Sequence, residues 1–291
     1  MAAVISWWAK HSPLHTRLLP RPVLILAFSV LAAHSLAQNP NLPDQDVFLR
    51  EAREALARSQ QLWHRYAYKE RRTDLHMNPF GRMGTGGTRV LEVRPSADVR
   101  LTYRREIERN GMPVPKFELD RLDAEYRERV ARLERDSGDA ERGRNDDDVL
   151  ARRRAQMTIE DVLNTLRFDL VRREIFAGRP AIVVAFAARP NARPVTREGR
   201  TARAFKGHVW IDEASREVRH VTAMATADVS FGGGFIAKIY EGMEAVIDRE
   251  EIEPGVWMPV RLQLSGNVRA LFRKAHIEHV VEWFDYRRTA P

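Results

Sequence analysis

Alternation of apolar and polar residues limits this chain more than any other feature of it. Val99, Leu101, Tyr103 and Ile107 share one parity, while Arg100, Thr102, Arg104, Glu106 and Glu108 share the other. A period of two describes a half-buried antiparallel strand, apolar on one face and wet on the other. The pattern recurs in YAYKERR from Tyr66, in TRVLEVR from Thr88, and again from Phe168 to about Arg287, apart from an Arg/Pro-rich loop at 189–204. Turn signals join these runs: Asn110-Gly111, Gly178-Arg179-Pro180, Glu213-Ala214-Ser215, Gly232-Gly233-Gly234 and Pro254-Gly255. Strands that follow one another through tight turns predict a meandering antiparallel sheet of roughly ten strands. AIVVAFAA, residues 181–188, is apolar on both faces and reads as a central strand.

Two helical stretches break this rhythm. Residues 44–63 carry Phe48, Ala52, Ala55 and Leu62 on a loose stripe, with Asp44 or Asp46 available as a cap. Residues 116–167 form a charged insert in which Leu119, Leu122, Tyr126, Val130 and Leu133 recur at three- and four-residue steps. A second insert helix is expected from about Asp147, and Thr158 with Asp161 resembles a capping box. A sheet with one apolar face must cover it by closing, stacking or recruiting helices. The expected class is therefore α+β: a strongly curved antiparallel half-barrel whose helices cover the concave apolar face.

Residues 23–37, VLILAFSVLAAHSLA, read as the hydrophobic part and cleavage site of a secretory signal, preceded by Lys10, Arg17 and Arg21. Its unbroken apolar part, Val23 to Ala33, is shorter than the roughly 20 residues a membrane span needs. The expected organisation is a signal at 1–37 and a single domain at 38–291, placed in the periplasm or outside the cell, with no stable span in the mature chain. Removing the three leader cations leaves 45 basic against 40 acidic residues, a net charge of about +5. So small and interleaved an excess argues against a nucleic-acid partner. The chain has no cysteine, which excludes disulfides, thiol nucleophiles and thiolate metal sites.

Chemistry-bearing motifs are sparse. His276 and His279 fall on opposite faces of a strand, and zinc needs at least three converging ligands, so no metal is expected. His208 and His220 lie on the two arms of one hairpin. The clusters GRMGTGGT and FGGGF read as turns, and Asp146-Asp147-Asp148 as helix-capping acids. Glu241 shares its parity with Phe235, Ala237, Ile239, Met243, Ala245 and Ile247, and Gly242 is expected to turn it outward through a bulge. No nucleophile elbow, phosphate loop or dinucleotide fingerprint occurs, so neither an enzyme nor a cofactor is expected.

The YxYxE strand, the helical interruption, the hairpin Gly207-His208-Val209-Trp210-Ile211-Asp212, the element Gly255-Val256-Trp257-Met258-Pro259-Val260 and the closing Trp283-Phe284-Asp285-Tyr286-Arg287 form a recognisable series. In this arrangement the chain resembles the lipoprotein-carrier superfamily of the bacterial envelope, which includes LolA, LolB and the stress sensor RseB. The resemblance implies a greasy groove between sheet and helices that holds acyl chains, and it carries over no functional residue. Strand parity places Val99, Leu101, Tyr103, Val209, Ile211, Ile239, Met243, Met258, Val260 and Leu262 along that groove. The expected function is an exported envelope binding protein, a carrier or sensor for a lipid or acylated partner. The charged insert is a docking element for an envelope protein. The alternative is a scaffold whose groove is filled by its own Trp210, Trp257, Phe272 and Trp283.

Overall fold

The computed structural model describes residues 42–77, 83–96, 101–138, 157–158, 160–231, 237–270 and 273–289. The expected signal at 1–37, Val99, Phe272 and most of the expected second insert helix lie outside these. Helix α1, Gln45–Leu62, leads into strand β1, Tyr66–Met77, followed by β2, Met83–Arg94, β3, Tyr103–Arg109, and the two-residue β4, Met112–Pro113. Helix α2, Lys116–Gly138, comes next, then β5, Leu166–Phe176, and β6, Arg179–Ala188. A short α3, Arg197–Ala202, precedes β7, Phe205–Asp212, and β8, Val218–Ala225. Strands β9, Val229–Phe231, β10, Ala237–Ile239, β11, Glu244–Glu253, β12, Val256–Ala270, and β13, Arg273–Arg288, complete the chain.

All thirteen strands form one open antiparallel sheet, in the order β4-β3-β2-β1-β13-β12-β11-β8-β7-β6-β5, with β9 and β10 attached through β12. The first and last strands meet in the middle of the sheet, because β1 pairs with β13. Strand β6 lies next to the β5 edge rather than centrally, yet Ala181 to Val184 are fully buried, as their apolar character on both faces requires. The register slips at Tyr68 against β13, and at Val171, Arg219 and Val260, of which the last three have no strict cross-strand partner. Bulges of this kind bend a strand and increase its twist, which curves the sheet. Gly207 is required by close approach: a Cβ there would stand 1.8 Å from the Thr222 carbonyl oxygen of β8.

Asp44 caps α1, its Oδ1 accepting from the Val47 N–H at 2.9 Å. Phe48, Ala52, Ala55 and Ser59 recur on one stripe and are buried, while Arg50, Arg53 and Arg58 face water. Phe48 and Ala52 pack on Ile182, Val184 and Ile211, so α1 lies across one face of the sheet, the inner face below. Residues 160–165 cover the same face near its other end, where Val162 joins Phe186, Phe205, Leu264 and Val268. The insert helix α2 does not: Arg105, which binds its Asp123, pairs with Glu92, and Glu92 with Lys69, on the opposite face from Glu70. Its charged stripe offers too little apolar surface to compete for the core, and ion pairs seat it at the β3 edge instead.

The capping box drawn at Thr158 is also revised, because the Asp161 carboxylate accepts from the Val195 and Thr196 backbone N–H groups and from the Thr196 hydroxyl. Gly242, at φ +82°, makes a full turn between β10 and β11 rather than a bulge, and leaves Glu241 exposed.

A buried ion pair fixes α1 to the sheet. Ser59 donates to Glu217 Oε1 at 2.6 Å, and Arg249 Nη1 donates to Glu217 Oε2 at 3.1 Å. Arg249 also donates to the Val218 and Trp257 carbonyls, each at 2.9 Å. Burial lowers the Arg249 pKa despite the opposing charge of Glu217. Arg249→Met leaves a buried carboxylate without its cation and is expected to destabilise the fold by about 3–5 kcal/mol in urea unfolding. Adding Glu217→Gln should recover most of that loss, since removing both charges removes the desolvation cost as well.

Candidate functional site

The cross-strand register builds the inner face row by row. Val184 faces Val209, Val209 faces Val221, and Val221 faces Ile247. Ile247 then faces Leu262, Leu262 faces Val281, Val281 faces Arg72, and Arg72 faces Arg89. An apolar strip six strands wide therefore runs directly into arginines. Leu262 and Val281 are fully buried, whereas Val209, Val221, Ile247, Ile277 and Trp283 are only partly buried against the same core. The middle of the inner face thus keeps accessible apolar surface beside a polar seam.

Glu70 is the centre of that seam. It accepts from Arg72 Nε, from Arg104 Nη2 at 2.7 Å and from Trp283 Nε1 at 3.3 Å, and only 4% of its side chain is exposed. The neighbouring inner row brings Asp74 against His279, which are bonded through Nδ1. Burial lowers the Arg72 pKa, and the Glu70 charge restores part of it. Tyr68 is pushed up to about 12 by burial and by Glu70. Its ring lies 5.5 Å from that of Tyr286, whose hydroxyl donates to the Pro259 carbonyl and whose pKa burial also raises. Such a seam can hold a polar group at the border of a greasy surface. His276 and His279 lie on opposite faces, and among the described residues no group of three His, Asp or Glu could hold a metal.

Of the residues placed along the groove by parity, Val209, Ile239, Met243 and Leu262 join the larger inner cluster, and Ile211 joins the one beneath α1. Met258 is buried outside both clusters, and the slip at Val260 breaks the parity that linked these two to Leu262. Tyr103 instead donates to Asp123 of α2 at 2.5 Å, and burial and that carboxylate push it up to about 12. The Leu101 carbonyl accepts from the Tyr126 hydroxyl at 2.9 Å. Parity missed Glu70, Arg72 and Asp74 because charged residues on a strand read as its wet face.

The opposite face carries two further features. A shallow trough of about 540 Å3 crosses β6, β7, β8 and β11, lined there by Ala185, Ala187, His208, Thr222, Met224 and Val246. Beside it, His220 bonds Asp248 at 2.6 Å and meets Trp210 edge-on, with ring centroids 4.8 Å apart. Trp210 donates to Glu174 on this face, so it does not fill the inner groove, whereas Trp283 packs against the inner core.

No family model matches the sequence, and no curated protein matches it. Among solved structures, the chain is similar to a putative outer membrane lipoprotein-sorting protein domain from Vibrio parahaemolyticus. That match has 9% identity and a TM-score of 0.34, covering 85% of this chain and 94% of the other. A LolA superfamily protein from Nitrosomonas europaea matches at 8% identity and a TM-score of 0.29, over 82% of this chain and 94% of that one. MucB of Pseudomonas aeruginosa, solved with MucA, matches at 10% identity and a TM-score of 0.22, over 83% and 100%.

Burial alone would raise the Asp74 pKa, but the His279 hydrogen bond and charge, with Arg72 and Arg89, bring it below the usual aspartate value. A depressed carboxyl adds stability above the unfolded pKa, and that stability is lost as pH falls through the folded one. Asp74→Asn should therefore flatten the decline in stability between about pH 5 and 2, measured by denaturant unfolding across that range.

Proposed function

We propose that this chain is an exported binding protein of the bacterial envelope that holds a lipid or acylated partner against its inner face. The observation that carries this reading is the partly exposed row Val209-Val221-Ile247, which continues through the buried Leu262 and Val281 to the arginine and carboxylate seam of β1. Each methylene moved from water onto such a surface gains about 0.8 kcal/mol, so a long acyl chain gains on the order of 10 kcal/mol. A bilayer offers the chain nearly the same gain, which leaves transfer to or from a membrane close to balanced. No helix among the described residues is long and apolar enough to cross a membrane. Export is inferred from residues 23–37.

Mass spectrometry of organic extracts of the protein purified from its envelope fraction is expected to show bound lipid. Val221→Asp with Ile247→Asp should abolish it, and Thr222→Asp with Val246→Asp, in the trough of the other face, should not. Lipid absent from the wild type, or lost only with the second pair, would reject the inner-face reading.

A scaffold role has one observation in its favour: Phe186, Leu262, Leu264 and Val281 fill much of the inner face. Under either reading α2 is the element we assign to a protein partner, since it is stapled outside the core and leaves Phe117 76% exposed. Phe117→Ser together with Met112→Ser is expected to weaken partner capture at least tenfold, by cross-linking in the native envelope, while leaving the unfolding midpoint unchanged.

A further inference from the structure

The segment 189–203, between β6 and β7, takes no part in the site above. It holds five arginines, Arg189, Arg193, Arg197, Arg200 and Arg203, against the single acid Glu198. All five arginines are exposed. Arg189 donates to the Leu166 carbonyl and Arg200 to that of Val195, so neither of these bonds neutralises the charge. Counting the adjacent Asp161 and Glu160 still leaves an excess of two positive charges.

The segment is also braced by hydrogen bonds and carries an exposed apolar residue, Val195. Asp161 grips Val195 N at 3.1 Å, Thr196 N at 2.8 Å and Thr196 Oγ1 at 2.6 Å. Thr196 in turn caps α3 by accepting from Gly199 N at 2.9 Å. Gly199 is needed for this grip, since a Cβ there would stand 2.1 Å from Asp161 Oδ2. The clamp holds Val195 outward at 71% exposure, and Met157, just before the segment that carries Asp161, is 56% exposed. An exposed apolar residue flanked in the chain by Arg193 and Arg197 matches the interface of an anionic bilayer, where basic groups meet headgroups and the apolar side chain enters the acyl boundary.

We propose that residues 189–203, with Met157, form a docking surface for anionic membrane lipid. The complement is electrostatic and apolar together, which separates it from a single-stranded nucleic-acid site, where stacking aromatics would be needed. Docking requires no ligand on the inner face, so it stands or falls independently of the carrier reading.

The test is co-sedimentation of the form isolated from an expressing bacterium with vesicles of phosphatidylcholine alone or of equimolar phosphatidylcholine and phosphatidylglycerol. The protein should bind the mixed vesicles and lose binding as salt rises. Each arginine near an anionic surface is worth about fivefold in affinity, so Arg193→Ala with Arg203→Ala should weaken binding roughly 25-fold. Val195→Ser should weaken it about tenfold. Arg53→Ala with Arg58→Ala on exposed positions of α1 removes the same charge elsewhere and should change binding little. Equal binding to both vesicle types overturns the proposal, as does an equal loss in the two double variants. Binding to duplex DNA in place of vesicles, with the same arginine dependence, would overturn it in favour of a nucleic acid.

Discussion

Register across ten consecutive strand pairs is the constraint on which this molecule depends. A single-residue slip moves every apolar side chain of a strand to the other face. Only because Val184, Val209, Val221, Ile247, Leu262 and Val281 stand opposite one another does a continuous apolar band exist. The bulges are the exceptions that shape it. At Val260 the slip separates Met258 from Leu262, and at Arg219 it frees a guanidinium to reach the Phe176 carbonyl. Curvature and the limits of the band are therefore set by the same few residues.

How the band is covered follows from what each helix can offer. Helix α1 presents Phe48 and three small residues, then anchors through Ser59, Glu217 and Arg249. Its grip is polar through Ser59 and apolar at Phe48 and Ala52, which pack on Ile182, Val184 and Ile211. Helix α2 offers mostly charge, and the edge strand β3 offers Arg105 and Arg109 in return. The same composition that keeps α2 off the core leaves much of its surface exposed.

Much of the architecture was legible in sequence. The first helix, the YAYKERR strand, the Asn110-Gly111 turn and the hairpin between Phe205 and Ala225 all follow from period, capping and turn chemistry. Left-handed backbone at Asn110 and Gly111 is what that pair supplies to a tight hairpin. Parity also assigned Val209, Ile211 and Leu262 to the face that α1 or the main core covers. It failed at Val260 and on its N-terminal side, at Met258, where the bulge is invisible to any counting of residues, and at β10 and β11, where one expected strand is two around Gly242. The polar seam was hidden for a different reason. Glu70 and Arg72 look like solvent-facing charges until Arg104 and Trp283 arrive from β3 and β13 to satisfy and bury them.

Local sequence alone determined where chain elements start, turn and stop, because caps, glycine turns and alternation act over a few residues. It also determined that one face of the sheet is greasy and that no thiol or disulfide chemistry is possible. Tertiary structure decided which face α1 covers, that the first and last strands, β1 and β13, pair, and that charges gather beside the apolar band. Those outcomes depend on contacts between residues as far apart as Glu70 and Trp283, whose pairing energy appears only once the intervening loops are closed.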